Sequence, residues 1–496
     1  MIQTNLFSNV IAFLFSIFCV SCFGQMICGT HKSLFARELE DSLNVECMLA
    51  DIKQLKDELI SSHPKMDYYC TKEDIDSAFN MAEIQCATKK TTKEFIEILS
   101  SMLHTMKDSH TNLSPLVLTQ FKNINRVFPF YLEQIEGKYY MKKCYNEIIP
   151  PGVECLEIDD VEFHQIHKKA KIFAFQEGES KAANEQMALK LIARIFSVYY
   201  LKNKEFITFK IVDYRGDTLL KKIQSVTLRS VIFNKDWNRT ETNSFWFDSS
   251  GTACMNLGSF SARRNKGMKK FIDDFFKEVE LNKSNHIVID LRDDSGGYVS
   301  IKNYLINYLD ISKTDKRERY DFIRSDRDRF SSLGWWIKYR YRSYLKKYPN
   351  DTLVAKEWKY IQSKNGTHCS LFYPNEMKLG GQVYKGRVSV AMNGLSMSAS
   401  VMFCSWIKSS GRGELYGDMC MGGSNGTFGD AVQFKLKHSK IPINMSTVKI
   451  TPLSNIDFSY AGLSPDIYAR PTIFQLKNGI DPIKELLGFT KKTVLK

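Results

Sequence analysis

The sequence predicts a multidomain protein that mixes helices and strands, and three observations lead to this fold class. At 496 residues the chain is too long for one hydrophobic core, so roughly two to four domains are expected. Apolar residues recur at helical spacing over 45–120 and alternate with polar residues over 126–228, and from 232 onward strands alternate with helices. The composition, with 43% hydrophobic and 12% aromatic residues, excludes a disordered chain.

The first 24 residues are predicted to be a secretory signal peptide. From Leu6 to Gly24 the chain carries no charge, and small residues precede Gln25. A retained membrane anchor or a buried helix is the alternative for this stretch. The sequence therefore predicts an exported protein of the periplasm or cell envelope, and a lipid anchor at Cys22 is left open.

Residues 25–122 are predicted to form an N-terminal helical domain. The segment "VECMLADIKQLKDELISSHP" spaces its apolar residues at helical intervals and ends at Pro64. A second helix follows the capping residue Thr71, and a third runs out near Lys107 into "KDSHTNLSP".

The remainder divides into a β-rich module at 123–231, an α/β domain at 232–480 and a basic tail at 481–496. Short alternating stretches such as "FITFKIVDY" predict the strands of the module, and a helix at about Lys181–Val198 interrupts them. Regular alternation of strands and helices is typical of an α/β domain.

Within the α/β domain, an insert at 313–348 is basic and aromatic. Between Lys313 and Lys347 there are twelve Lys or Arg and five Asp or Glu, in a chain of net charge +14. The favoured interpretation is a solvated amphipathic helix whose aromatic side chains dock on the body. The alternative is a surface for anionic lipid, a polyanion or an acidic substrate.

Two turns of the α/β domain could carry chemistry. In "NGLSMSASVMF" (393–403) a strand and a glycine turn precede a serine at the start of a helix, where a nucleophile and an oxyanion-binding N–H can lie side by side. In "HIVIDLRDDSGG" a strand leads to Gly296 and Gly297, which let backbone N–H groups approach a ligand. Taken alone, the first turn is more simply a helix N-cap and the second is commonplace.

The order of these motifs resembles the C-terminal processing (tail-specific) serine peptidase family. After the DLR-x-x-x-GG and S-x-S-A turns come Gly417-Asp418 and then "GLSPDIYA", while "ISSHPKMDYY" and "KDSHT" resemble its N-terminal region and "IPPGVECLEIDDVEF" its PDZ-like insert. The resemblance implies a ClpP/crotonase-like α/β catalytic domain with a helical bundle and a PDZ-like module. It implies no cofactor and no metal.

The resemblance also implies roles for individual residues. Ser398 matches the nucleophile, and the N–H groups of Ala399 and of Gly296 or Gly297 match the oxyanion hole. One branch of the family uses a lysine base, but Gly423 occupies that position here.

The tricorn-core-like branch uses a histidine instead, which His110 matches, with Ser109 orienting it. We expect the His110 ring within hydrogen-bonding reach of Ser398 Oγ. Ser459 stands where that branch has a glutamate, and Asp457 is the carboxylate nearest to that position.

The sequence therefore predicts an exported serine endopeptidase that hydrolyses peptides or unfolded proteins through an acyl-enzyme. The alternative is a catalytically inactive peptide-binding scaffold of the same fold, suggested by Ser459 and by Val401, which replaces a commonly acidic residue. A homo-oligomer and association with a membrane surface are left open, and no nucleic-acid partner is expected.

Overall fold

The computed structural model describes residues 38–113, 117, 125–145, 148–233, 243–260, 265–310, 317–331, 333–373, 381–452 and 460–489. The predicted signal peptide with Cys22, the candidate Asp457 and the departure at Ser459 lie outside these ranges. In the described part of the chain, no helix is both long and apolar enough to cross a bilayer.

Three helices form the N-terminal region. The second and third begin with capping boxes, in which Thr71 and Thr91 accept the backbone N–H groups of Asp74 and Glu94, whose side chains accept the threonine N–H groups in return. The elements are β1 (Ser42–Leu43), α1 (Val45–Ser62), α2 (Lys72–Gln85), β2 (Lys90–Thr91), α3 (Thr92–His104) and β3 (Asn112–Leu113).

The middle region is a sheet flanked by two helices. Its strands follow the order β10-β9-β7-β6-β5, with β8 paired to β7 and a separate pair formed by β4 and β11. Its elements are β4 (Arg126–Val127), β5 (Phe130–Ile135), β6 (Lys138–Cys144), β7 (Glu154–Ile158), β8 (Val161–Glu162), α4 (Phe163–Lys171), α5 (Lys181–Phe196) with a π-helical turn (Ser197–Leu201), β9 (Phe206–Val212), β10 (Thr218–Gln224), β11 (Val226–Thr227) and α6 (Leu228–Phe233). One continuous cluster of buried side chains joins this sheet to α1–α3. The PDZ-like character of the region stays a prediction.

A six-stranded sheet, in the order β12-β13-β14-β17-β18-β23, organises the rest of the chain. All its pairings are parallel except that of β12 with β13. Its elements, with those packed around it, are β12 (Ser244–Phe247), β13 (Ala253–Asn256), α7 (Asn265–Leu281), β14 (His286–Asp290), α8 (Val299–Leu309), β17 (Arg387–Met392), α11 (Ala399–Ser410), β18 (Glu414–Gly417), β23 (Ile467–Tyr468), α12 (Ile473–Asn478) and α13 (Pro482–Leu486).

Two smaller antiparallel sheets lie beside it. The first, in the order β16-β15-β22-β19, takes β15 from the basic insert, and the second, β20-β21-β3, takes its last strand from the N-terminal region. Their elements are β15 (Glu318–Ile323), α9 (Trp335–Lys347), α10 (Thr352–Ile361), β16 (His368–Tyr373), β19 (Thr427–Gly429), β20 (Val432–Lys435), β21 (Pro442–Met445) and β22 (Val448–Pro452). The predicted mixed α/β multidomain class is confirmed, while the ClpP/crotonase-like assignment stays a prediction.

The main sheet explains why the two candidate turns meet. Strands β14 and β17 are adjacent and parallel, with Asp290 opposite Ala391, so their carboxyl ends lie at the same edge. Both strands are apolar runs because helices cover the sheet. The turns that follow them therefore start side by side.

Candidate active site

Ser398 lies between the turn after β17 and the first residue of α11, in an unusual backbone conformation. Its φ of 56° and ψ of −120° fall in a region that residues with a side chain rarely adopt, so the local backbone is strained. The Ser398 side chain makes no capping hydrogen bond to α11, which removes the simple N-cap interpretation. The helix N-terminus places partial positive charge next to this hydroxyl.

The other two serines of the turn have structural bonds. Ser396 Oγ donates to the Leu291 carbonyl (2.7 Å) and accepts the Asn393 N–H (3.0 Å), and Ser400 Oγ donates to the Asp294 carbonyl (3.3 Å). Both are fully buried, whereas Ser398 is partly exposed. Of the three, Ser398 is thus the one a substrate can reach.

The glycine turn after β14 packs directly on the serine turn. A Cβ atom on Gly296 would lie 2.7 Å from the Met397 carbonyl oxygen and 2.9 Å from the Ala399 nitrogen, so this close approach requires glycine. The Gly296 N–H already donates to the Asp294 carboxyl group (2.7 Å). Of the two predicted glycine donors, Gly297 is therefore the better placed: within the described ranges its N–H has no acceptor, and it is partly exposed.

Asp294 forms hydrogen bonds with both turns. Its main-chain oxygen accepts the Met397 N–H (3.0 Å), its Oδ1 holds Gly296, and its Oδ2 is buried without a hydrogen-bond partner. Burial raises the pKa of this carboxyl to about 8, against the opposing effect of the Gly296 and Ser400 bonds. Asp294 is consequently protonated at neutral pH.

His110 follows α3, in a segment that β3 fixes to β21 of the peptidase region. Its Nδ1 lies 3.0 Å from Ser109 Oγ, and Ser109 Oγ donates to Glu177 Oε2 (2.6 Å). A hydroxyl has one proton to donate, and Ser109 donates it in the hydrogen bond to Glu177. Ser109 Oγ therefore accepts a hydrogen bond from His110 Nδ1–H. The bonds thus define a relay Glu177–Ser109–His110, in which Nε2 is the basic nitrogen.

Glu177 is a candidate site residue that the sequence reasoning missed. It is fully buried between α4 and α5 and accepts four hydrogen bonds, from Ser109 N–H (3.1 Å), Ser109 Oγ, Phe428 N–H (3.1 Å) and Tyr69 O–H (3.1 Å). The sequence placed the orienting carboxylate near Asp457 instead. The segment "AFQEGES" carries no spacing signal, although a glutamate between an apolar run and a glycine is compatible with burial.

Asp108 is a second buried carboxylate in the network. Its Oδ1 accepts the His110 N–H (2.8 Å), and its Oδ2 contacts His63 Nε2 (2.9 Å) and accepts from Thr111 Oγ (2.6 Å). Burial alone would raise its pKa, but His63 and His110 hold the pKa well below its usual range. For His110, burial has the opposite effect and lowers the pKa. The carboxylates Glu177 and Asp108 outweigh burial, so the pKa of His110 is raised above 6.5.

The side chains of Asp108, His110 and Glu177 are spaced closely enough to hold a metal ion, with one ligand atom of each within 4.8 Å of the others. The oxygens of both carboxylates, however, already accept hydrogen bonds from neighbouring groups. A metal ion would have to displace these donors, so the geometry favours a proton relay.

Gly422 lies between Glu177 and Val401, a residue of the helix that Ser398 precedes. The Met421 N–H donates to the Ser396 carbonyl (2.9 Å), and a Cβ atom on Gly422 would lie 3.2 Å from Glu177 Cγ and 3.7 Å from Val401 Cγ1 on α11. The expected hydrogen bond between Ser398 and His110 is nevertheless absent among the described residues. The structure brings Glu177 close to helix α11, whereas no hydrogen bond joins His110 to Ser398 in the described part of the chain.

A protein-family model matches the part of the chain that carries the serine and glycine turns. Residues 251–469, which include Ser398 and both glycines, match the model of peptidase family S41. We conclude that the chain contains a serine-type peptidase. The matched segment, which is less than half of the chain, is similar to peptidase family S41. His110 and Glu177 lie outside the matched segment.

Several solved structures share the fold. Mature CPAF in complex with lactacystin is 15% identical, with a TM-score of 0.62 over 89% of this chain and 98% of that chain. A serine-to-alanine mutant of CPAF is 13% identical, with a TM-score of 0.66 over 88% and 94%. The photosystem II D1 C-terminal processing protease also matches, at 12% identity over 88% and 98%, but its TM-score of 0.38 supports no argument. No curated protein sequence matches this chain.

Proposed function

We propose that the protein is an exported serine endopeptidase that cleaves peptides or unfolded proteins through an acyl-enzyme intermediate. The observation that supports this most is the packing of the strained Ser398 turn against the glycine turn, within a family S41 domain. The expected signal peptide supports export to the periplasm or cell envelope.

The reaction uses the groups in the following way. Ser398 Oγ attacks the scissile carbonyl carbon while His110 Nε2 takes the hydroxyl proton. The Ala399 and Gly297 N–H groups stabilise the oxyanion. His110 returns the proton to the leaving amine as the C–N bond breaks, and the second half-reaction repeats these steps with water attacking the ester.

Glu177 supplies the orienting carboxylate that Ser459, in place of the expected glutamate, puts in doubt. Through Ser109 it holds the His110 tautomer and stabilises the imidazolium that forms when the proton is transferred. The inactive-scaffold alternative is therefore not favoured. Catalytic hydrogen bonds often tighten only when substrate is bound, so we expect His110 and Ser398 to join in the substrate complex.

The experiment is hydrolysis of a denatured protein and of fluorogenic peptides by the Ser398→Ala variant, with Ser405→Ala as the matched control. Ser405 lies on the same helix, buried and with an unpartnered hydroxyl, so its removal should leave activity within about twofold. Ser398→Ala should lose activity by at least ~10³-fold and resist a serine-directed phosphonate. Full activity of Ser398→Ala, or a label on another residue, contradicts the proposal.

A second function is favoured by the basic insert, as a surface for an anionic membrane. Helix α9 has five Lys or Arg and no acidic residue. It docks through the buried Tyr341 and Tyr344, as the favoured sequence interpretation expected, but exposes Trp335, Trp336 and Tyr339 at its start. At 3.6 residues per turn, Trp335 and Tyr339 share a row with Arg342 and Lys346. Aromatic side chains with flanking cations are the pattern of membrane-interface helices.

Sedimentation with anionic and with neutral vesicles tests this second function. Binding to anionic vesicles should fall steeply with salt and with the double substitution Trp335→Ser and Trp336→Ser. Leu220→Ser, on an exposed apolar residue of the middle region, is the control and should bind normally. Equal binding to neutral vesicles, or no loss in the tryptophan variant, contradicts it. Sedimentation velocity without vesicles measures the homo-oligomer that the sequence leaves open.

A further inference from the structure

Lys449 is a buried lysine whose ammonium group makes no hydrogen bond or ion pair with the described residues. It lies on β22, between Asp321 of β15 on one side and Phe428 of β19 on the other. The residue is 2% exposed, and its Nζ makes no hydrogen bond in the described part of the chain. An unpaired buried ammonium is costly, so its position calls for a physical explanation.

Aromatic rings surround this ammonium group. Nζ lies 4.4 Å from the ring centre of Tyr68, 4.9 Å from that of Phe428 and 5.5 Å from that of Tyr69. Ring faces attract a cation but carry no net charge, so they stabilise the ammonium without neutralising it. The carboxylate opposite, Asp321, is engaged by Arg319 and Ser370 instead.

The same aromatic residues hold Glu177. The Tyr69 hydroxyl and the Phe428 N–H both donate to Glu177 Oε1, so the cage around Lys449 and the shell around Glu177 share two residues. The charged groups that act on Lys449 are Glu177, Asp108 and Asp321, with Arg319 opposing them.

We infer that Lys449 is a positioning residue whose positive charge offsets the buried carboxylates Glu177 and Asp108 and so keeps His110 neutral enough to act as a base. This inference rests on the proposed function. Glu177, Asp108 and, after them, Asp430 favour the charged imidazolium, and a protonated His110 cannot take the proton of Ser398. A fixed cation behind Glu177 opposes that effect without bonding to His110.

The role operates at neutral pH. Burial lowers the pKa of Lys449 to about 8, while Glu177 and Asp108 act in the opposite direction. The side chain is therefore still mostly protonated at pH 7, and its influence on His110 fades above pH 8.

The test is an NMR titration of His110 that does not depend on turnover. Full-length Ser398→Ala protein with isotope-labelled histidine is compared with and without Lys449→Met, and His110→Asn identifies the resonance. Methionine preserves the unbranched shape without the charge. We expect the pKa of His110 to rise by on the order of one unit when the positive charge is removed.

Two further variants separate charge from structure. Lys449→Arg should return the pKa of His110 toward its starting value, and in a Glu177→Gln background Lys449→Met should shift it less. With Ser398 restored, the acidic limb of kcat/KM should move by the same amount as the NMR midpoint. If Lys449→Met folds poorly, Lys449→Gln takes its place.

An unchanged His110 midpoint in a folded Lys449 variant overturns the inference, as does the same shift in Lys449→Arg. The two proposals fail separately. A shift in the titration without peptidase activity would contradict the proposed function alone, and activity without a shift would contradict the inference alone.

Discussion

The turn that carries Ser398 is built from neighbours in one sheet, whereas the segment that carries His110 depends on distant parts of the chain. The serine turn requires β14, β17 and the two loops that follow them. The hydrogen bonds around His110 lead to Glu177 from the middle region, which Phe428 from a different sheet contacts in turn. The proposed nucleophile thus depends on one sheet, while the proposed base depends on contacts between several regions of the chain.

The largest effect is expected when the packing of the glycine turn on the Ser398 turn is disrupted. Gly296→Ala would place a Cβ within 2.7 Å of the Met397 backbone oxygen at a φ of 83°, so the two turns must separate. We expect peptidase activity to fall by at least ~10³-fold through loss of the oxyanion donors. Gly137→Ala is the control, since its φ is 80° and nothing lies within 4 Å of the new Cβ. It should cost about 1 kcal/mol of stability and no activity, so equal activity losses in the two variants would contradict the argument.

The next largest effect is expected when the carboxylate that orients His110 through Ser109 is neutralised. Glu177→Gln keeps the shape of the side chain but removes the charge that favours the imidazolium, so kcat should fall ~10²–10⁴-fold. In the wild type, kcat/KM should rise with pH through a midpoint above 6.5, because only neutral His110 accepts a proton. In the variant that midpoint should move to lower pH. Glu179→Gln, at a more exposed neighbour, should change neither, and a midpoint that moves upward in Glu177→Gln would rule out the relay.

The third prediction concerns the support beneath the two turns. The pKa of Asp294 is about 8 in the folded protein against 3.8 for the free group, so its folded-state advantage is complete below pH 3.8 and is lost as pH rises through 8. Asp294→Asn keeps an acceptor for Gly296 and cannot ionise. The free energy of unfolding of the variant, relative to that of the wild type, should therefore be higher at pH 8 than at pH 4 by about 1 kcal/mol or more. A gain that is the same at both pH values would show that Asp294 does not titrate in this range.

The smallest effect is expected at the position that the sequence suggested. With Glu177 in place, Asp457→Asn should leave kcat/KM within about twofold and its pH profile unchanged. Steady-state kinetics of Asp457→Asn and Glu177→Gln, measured side by side, compare the two carboxylates as candidates for orienting His110. A loss at Asp457 as large as at Glu177 would return the orienting role to the sequence-based candidate.

These differences explain what the sequence could and could not predict. Ser398 and the glycine pair follow adjacent strands, so local patterns and motif order find them. Glu177 lies 68 residues from Ser109, and nothing in "AFQEGES" specifies that partner. Lys449 did carry a signal, because it interrupts the buried run of β22, but its cage comes from the distant Tyr68, Tyr69 and Phe428. Patterns find elements and turns, whereas contacts between regions require the folded chain.

The most direct test measures the rate at which a serine-directed phosphonate labels the protein, as a function of pH, in the wild type, Glu177→Gln and Asp457→Asn. Peptide mapping locates the label. The account predicts a label on Ser398, a rate that rises through the His110 midpoint, a slow rate in Glu177→Gln and a wild-type rate in Asp457→Asn. A label elsewhere, or equal rates in Glu177→Gln and the wild type, would contradict it.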